Sequence, residues 1–193
     1  GSPGLKTMLG KGGEPNGPRG RFVVPSPNPP GRSSRGSLFI QTLMAKPLPV
    51  GAPAPDFILP STAGAPFRLS EAAGAPLVLF FYPGDFTPIC TAEACAFGDA
   101  FGELRGLGVD VLGVSSDSLE KHEAFRAKYK LPFHLLSDAG HRVARLYGAT
   151  GLLGIASRVT YLIGPDRRIA AAHDARFSGP SHLRAMLAAL QAP

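Results

Sequence analysis

The chain has 193 residues, 44% hydrophobic and 18% charged, enough for one ordinary domain or a domain with a tail. No run approaches the roughly 20 apolar residues that span a bilayer, and two cysteines cannot staple a mini-protein framework, so no membrane role is expected and a hydrophobic core must hold the fold. The net charge of +6 lies almost wholly in residues 1–45, where Lys6, Lys11, Arg19, Arg21, Arg32 and Arg35 face Glu14 alone; the remainder is nearly neutral, which argues against a nucleic-acid partner.

Residues 1–43 contain 9 Gly and 7 Pro. Such a stretch buries too little apolar surface to offset its ordering entropy, and it reads as a disordered extension. Gly1-Ser2 without an initiator methionine resembles a cloning scar, and Met44 is a plausible natural start for a domain over 44–193. A targeting peptide is the other reading, since the segment is basic and poor in acid. Its Gly and Pro disfavour an amphipathic helix, so a cytoplasmic location is expected, with organelle targeting as the alternative.

Leu77-Val78-Leu79-Phe80-Phe81-Tyr82 is a continuous apolar run, the pattern of a strand covered on both faces. It ends at the turn signal Pro83-Gly84-Asp85. Residues 88–106 read as a helix, with Ala94, Phe97, Phe101 and Leu104 at helical spacing. A second strand follows at 109–114. Ser118 caps a helix that runs to about Tyr129, with Glu120 and Glu123 near its positive end. A short strand at 133–136, a short helix near 140–147, a hairpin from 159–163 to 168–171 and a last helix over 181–190 complete the pattern. Strand–helix alternation closed by a hairpin predicts an α/β fold with a mixed sheet flanked by helices.

The chemistry centres on Phe86-Thr87-Pro88-Ile89-Cys90-Thr91-Ala92-Glu93-Ala94-Cys95. Cys90 lies in the first turn of a helix that Pro88 is suited to begin. Unpaired backbone N–H groups and the helix dipole favour an anion there, so the reactive thiolate is favoured. The plainer reading is a buried structural cysteine. Cys95 follows five residues on. In an intact helix the two Cα atoms are about 8.6 Å apart, beyond the roughly 7 Å that a disulfide spans. The two can bond only where the helix unwinds, which suggests a site with two states. A zinc pair would need two further ligands, and the histidines are scattered, so neither metal nor cofactor is expected. Arg158 stands beside an apolar run; it is either a solvated charge at a strand start or a guanidinium that stabilises a thiolate and an oxyanion.

Tyr82 through Cys95 resembles the active-site signature of peroxiredoxins, and the four-residue gap between the cysteines is similar to the bacterioferritin-comigratory-protein or peroxiredoxin Q branch. Val50-Gly51-Ala52-Pro53-Ala54-Pro55-Asp56-Phe57, Val114-Ser115-Ser116-Asp117-Ser118, Leu135-Leu136-Ser137-Asp138 and Arg158-Val159-Thr160-Tyr161-Leu162-Ile163 resemble further segments of that family. Ile89 departs from the branch, which often has Gly there.

The resemblance implies a thioredoxin-like fold and a thiol-dependent peroxidase acting on hydrogen peroxide and organic hydroperoxides. It implies Cys90 as the peroxidatic nucleophile, with Thr87, Arg158 and backbone N–H groups holding the peroxide oxygens. Pro88 would shield the thiolate and Glu93 would orient Arg158, unless Glu93 is a plain helix-surface acid. Cys95 would resolve the sulfenic acid as a disulfide, and a thioredoxin- or glutaredoxin-like dithiol would reduce it. A monomer or weak homodimer is expected.

Two alternatives stay open. One is a one-cysteine peroxidase resolved by an external thiol. The other is a redox-sensing or chaperone-like module in which unwinding exposes Phe97 and Phe101. Phe81, Tyr82, Phe86 and Phe97 read as core or pocket walls. His122, His134, His141, His173 and His182 read as surface or core residues outside the chemistry.

Overall fold

The computed structural model describes residues 46–72, 74–151 and 154–191; the extension expected over 1–43 lies outside them. A five-stranded mixed sheet runs in the order β5-β4-β3-β6-β7. The strands are β3 (Leu77–Phe81), β4 (Asp110–Ser115), β5 (His134–Ser137), β6 (Val159–Ile163) and β7 (Ile169–Asp174). The first three are mutually parallel, and β6 turns back antiparallel on both β3 and β7.

β3 is the central strand, and its sequence shows why. All five residues are buried. Leu77, Leu79 and Phe81 join one core, with Phe57, Val143, Tyr147 and Tyr161. Val78, Phe80 and Tyr82 join the other, with Cys90, Phe97, Leu104, Phe125 and Met186. A period of two carries alternate side chains to opposite faces, so an unbroken apolar run fills both. The second core is roofed by α1 (Pro88–Asp99), α2 (Phe101–Gly106), α3 (Leu119–Tyr129) and α5 (Gly179–Gln191), the first by α4 (Arg142–Leu146) and the segment before β3.

The helix expected over 88–106 is two helices. They meet at Ala100, whose φ of −88° and ψ of 1° leave the helical basin. Gly98 and Gly102 flank the break, and glycine is about 1 kcal/mol poorer than alanine inside a helix. The last helix begins at Gly179, two residues earlier than expected, and the helix near 140–147 shortens to 142–146 because Gly140 and His141 take positive φ. Ser118 caps α3 as expected, accepting from the Lys121 N–H. A small antiparallel pair, β1 (Ile58–Leu59) with β2 (Phe67–Arg68), was not foreseen; two-residue strands carry no readable period.

Candidate active site

The end of β3 delivers the chain into a loop that buried polar contacts hold in shape. Tyr82 donates its hydroxyl to Asp85 Oδ1 at 2.7 Å, and His122 Nδ1 meets Asp85 Oδ2 at 2.7 Å. The other ring nitrogen of His122 lies 3.2 Å from the Leu136 carbonyl. The Asp85 N–H donates to Asp117 Oδ2 at 2.6 Å, and Lys121 Nζ donates to the other oxygen of Asp117 at 2.7 Å. Lys121 and the backbone N–H of Asp85 keep Asp117 below the usual carboxylate range despite its partial burial.

This anchoring sustains an unusual conformation next door. Phe86 has φ of +62°, which a bulky residue seldom adopts. Its ring packs edge-on against Phe125 at 5.2 Å, and Lys128 Nζ sits 5.5 Å from its centroid. The turn aims Thr87 and Pro88 into the start of α1.

Pro88 is the first residue of α1 and Cys90 the third. The first backbone bond back into the helix is Thr91 N–H to Thr87 C=O at 2.9 Å, so the N–H groups of Ile89 and Cys90 precede the intrahelical ladder. Cys90 is 1% exposed, whereas Thr87 and Pro88 just ahead of it are exposed. Thr87 has the extended backbone of an N-cap, yet its side chain does not cap the helix; its hydroxyl donates to the Gly84 carbonyl at 3.1 Å.

Arg158 comes from the residue just before β6. Its Nη1 and Nη2 lie 3.4 and 3.3 Å from Cys90 Sγ, and Nη1 also donates to Glu93 Oε2 at 2.7 Å. Burial alone would weaken the guanidinium charge, but the hydrogen bonds and negative charges of Cys90 and Glu93 raise its proton affinity above the ordinary arginine value. The plainer reading of Arg158 as a solvated charge is therefore set aside, because it is 5% exposed and faces sulfur. Glu93 is fully buried one turn beyond Cys90, not a surface acid. Burial pushes its carboxyl up to about 7, although Arg158 and Thr160 pull the other way.

Cys95 lies farther along α1, half-buried and unbonded. Desolvation raises its thiol above the ordinary value, and the neighbouring charge of Asp99 adds to this. The structure thus brings Arg158 to the Cys90 sulfur and Glu93 to Arg158, with Thr87 and Pro88 at the start of the same helix, and leaves Cys95 unbonded farther along it.

Two residues of this site were not read from the sequence. Thr160 Oγ1 lies 3.3 Å from Glu93 Oε1 and 2.8 Å from His182 Nδ1. His182, on α5, is fully buried, a core position as the sequence allowed. The signal for Thr160 was its separation of two from Arg158, which puts both on one side of a strand; His182 had none. Gly179 explains how α5 comes so close: a β-carbon there would stand 2.7 Å from Glu93 N and 2.8 Å from the Ile89 carbonyl oxygen. No group of His, Cys, Asp and Glu suited to a metal ion occurs among the described residues.

A family model described as the AhpC/TSA family matches residues 50–172. The chloroplastic peroxiredoxin Q of Sedum lineare is 40% identical over 143 residues, covering 73% of this chain and 77% of the relative. That of Gentiana triflora is 34% identical over 177 residues, covering 89% and 79%. Among solved structures, the peroxidoxin BcpB of Mycobacterium tuberculosis superposes with a TM-score of 0.69 at 37% identity, covering 74% of this chain and 96% of that one. The bacterioferritin comigratory protein of Xanthomonas campestris, solved in work on its alkyl peroxide reduction, gives 0.66 at 31% identity over 70% and 90%. Since the matched span runs from ahead of β3 through the Cys90 turn to the strand behind Arg158, the chain belongs to the AhpC/TSA family as a peroxiredoxin of the Q type, an oxidoreductase with a thioredoxin-like fold and thiol-dependent peroxidase chemistry.

Proposed function

We propose that Cys90 is the peroxidatic cysteine and Cys95 its resolving partner. The observation that carries this is the pair of Arg158 nitrogens at 3.4 and 3.3 Å from a buried Sγ. The Cys90 thiolate attacks one oxygen of the peroxide, the O–O bond breaks, and the leaving oxygen takes a proton to become water or an alcohol. Arg158 and the N–H groups at the start of α1 stabilise charge as it spreads along that bond. The Thr87 hydroxyl donates its hydrogen bond to the Gly84 carbonyl, so its lone pairs are left to accept a hydrogen from a hydroperoxide.

The product is a sulfenic acid. Cys95 condenses with it, releasing water and forming a disulfide after local unwinding of α1. A thioredoxin-like dithiol then reduces that disulfide by exchange. The Xanthomonas relative's alkyl peroxide activity supports organic hydroperoxides as substrates beside hydrogen peroxide. The chloroplastic relatives favour an organelle over the cytoplasm, and import of a fluorescent protein fused behind residues 1–45 tests that placement.

Mass spectrometry after one equivalent of peroxide tests the chemistry. A Cys90–Cys95 disulfide supports the reading. A persistent sulfenic acid on Cys90 would mean that an external thiol resolves it. Rapid turnover by Cys90→Ser would remove Cys90 from the role altogether.

A further inference from the structure

The hydrogen bonds behind Arg158 impose a proton count. His182 Nε2 lies 2.9 Å from the Ala175 carbonyl, which can only accept, so Nε2 carries a hydrogen. In the neutral ring Nδ1 is then a bare acceptor. The Thr160 hydroxyl, at 2.8 Å, supplies its single proton to Nδ1. That leaves nothing from Thr160 for Glu93 Oε1 at 3.3 Å, and Oε1 also faces Nδ1 at 3.5 Å. Three acceptor atoms are in mutual contact with one hydroxyl hydrogen among them. A second hydrogen, on Glu93 Oε1 and directed at Thr160 Oγ1, completes the set.

We propose that Glu93, Thr160 and His182 form a buried proton relay that keeps Glu93 protonated near neutral pH, so that the charge of Arg158 is left to the Cys90 thiolate. His182 and Thr160 are positioning residues in this scheme, since neither touches Cys90. The proposal deepens the peroxidase reading and rests on it only for its purpose; the proton count stands on these distances together with a neutral His182 ring.

The charges around the relay agree on where the extra proton sits. Arg158, just ahead of β6, bonds both Cys90 and Glu93 from α1. On β7, His173 packs its ring edge against His182 at 4.7 Å, with its own Nε2 on Ser181. An imidazolium at His182 would be buried and would face both His173 and Arg158. Burial first, then those two neighbours, hold His182 down to about 4, against the Ala175 bond that pulls upward. Burial pushes Glu93 the opposite way, to about 7. Were Glu93 ionised, it and a Cys90 thiolate would be two buried anions sharing one guanidinium, a net negative charge that burial disfavours.

The test reads the alkylation rate of Cys90 in the reduced protein, followed by peptide mass spectrometry, and needs no peroxidase activity. In His182→Phe the Thr160 hydroxyl is released to donate to Glu93, the carboxylate is favoured, and Cys90 alkylation at about pH 7 should fall severalfold. His182→Asn, whose carboxamide oxygen can stand where Nδ1 does, should restore it. Glu93→Gln mimics the protonated acid, so His182→Phe should have no added effect in that background. In the unaltered protein, infrared spectroscopy should show a protonated carboxyl band near neutral pH that Glu93→Gln removes. An equal slowing by His182→Phe with and without Glu93 would overturn the relay, and so would the lack of that band. If Cys90→Ser kept its peroxidase turnover, the peroxidase assignment would fall while these titration results stood.

Discussion

Nη1 of Arg158 serves two acidic partners at once, Cys90 Sγ at 3.4 Å and Glu93 Oε2 at 2.7 Å. The Glu93 side of this fork fixes the guanidinium plane, and the sulfur side uses its charge. An exposed ion pair would be worth little; here both partners are almost wholly out of water, so the contact sets the protonation of the whole site.

Arg158→Met should therefore remove both orientation and charge. We expect second-order reaction of Cys90 with hydrogen peroxide to fall on the order of 10²–10³-fold, the range for losing a main donor to a developing oxyanion. Arg158→Lys should recover part of it, because an ammonium cannot fork. Stopped-flow fluorescence or competition with a reference peroxidase measures the change.

Cys95 offers a second test. Its thiol is raised by burial and then by the charge of Asp99. Asp99→Asn removes an anion that opposes the thiolate, so the thiol should ionise at lower pH. Alkylation of Cys95 at about pH 8 should quicken a fewfold, with Cys90 as the internal comparison in the same digest.

The pH dependence of stability carries a sign that separates Glu93 from His182. Glu93 is raised from 4.5 to about 7, so between those values the folded chain holds a proton that the unfolded chain has lost. Its contribution is full at low pH and is lost as pH rises through the folded value. His182 is lowered from 6.5 to about 4, so the unfolded chain binds the extra proton, and stability rises with pH across that window. The two slopes nearly cancel in the unaltered protein. Glu93→Gln should expose the rise and His182→Asn the fall, each by up to about 1.4 kcal/mol per pH unit. Urea denaturation at about pH 5 and pH 6 checks both directions; parallel curves for all three proteins would contradict the assignment.

His122→Leu should be among the most damaging single changes outside the sulfur site. It leaves Asp85 Oδ2 buried without its 2.7 Å partner, a loss of about 3–5 kcal/mol when one member of a buried pair is removed. Asp85 also braces the turn at Phe86, so the loss in urea stability should be joined by slower Cys90 oxidation.

Much of this was legible in the sequence because the signals are local. Pro88 ahead of Cys90 marked a helix start, and the structure puts the cysteine in its first turn. The unbroken apolar run at 77–82 marked a strand covered on both faces, while Arg158 ahead of a second apolar run left open a solvated charge or a cation for the thiolate until the family resemblance singled it out. The left-handed turn at Phe86 was not legible, since it is forced by Asp85, Asp117 and His122 from three parts of the chain rather than by any residue preference. His182 was missed for the same reason. It lies 22 residues from Thr160, and only the docking of α5 beside β6 brings them together. The break at Ala100 was hidden because apolar spacing continues through it even though backbone geometry does not.

The close seating of Gly179 against Ile89 and Glu93 assigns the moving part of the redox cycle. The opening turn of α1 is the fixed jaw, gripped by the C-terminal helix and by Arg158. The stretch from Cys95 to the bend at Ala100 is held in turn by Phe97, whose buried ring stacks on Phe80 at 5.0 Å. The disulfide proposed between Cys90 and Cys95 would therefore take up its rearrangement in the few residues between a gripped first turn and an anchored Phe97.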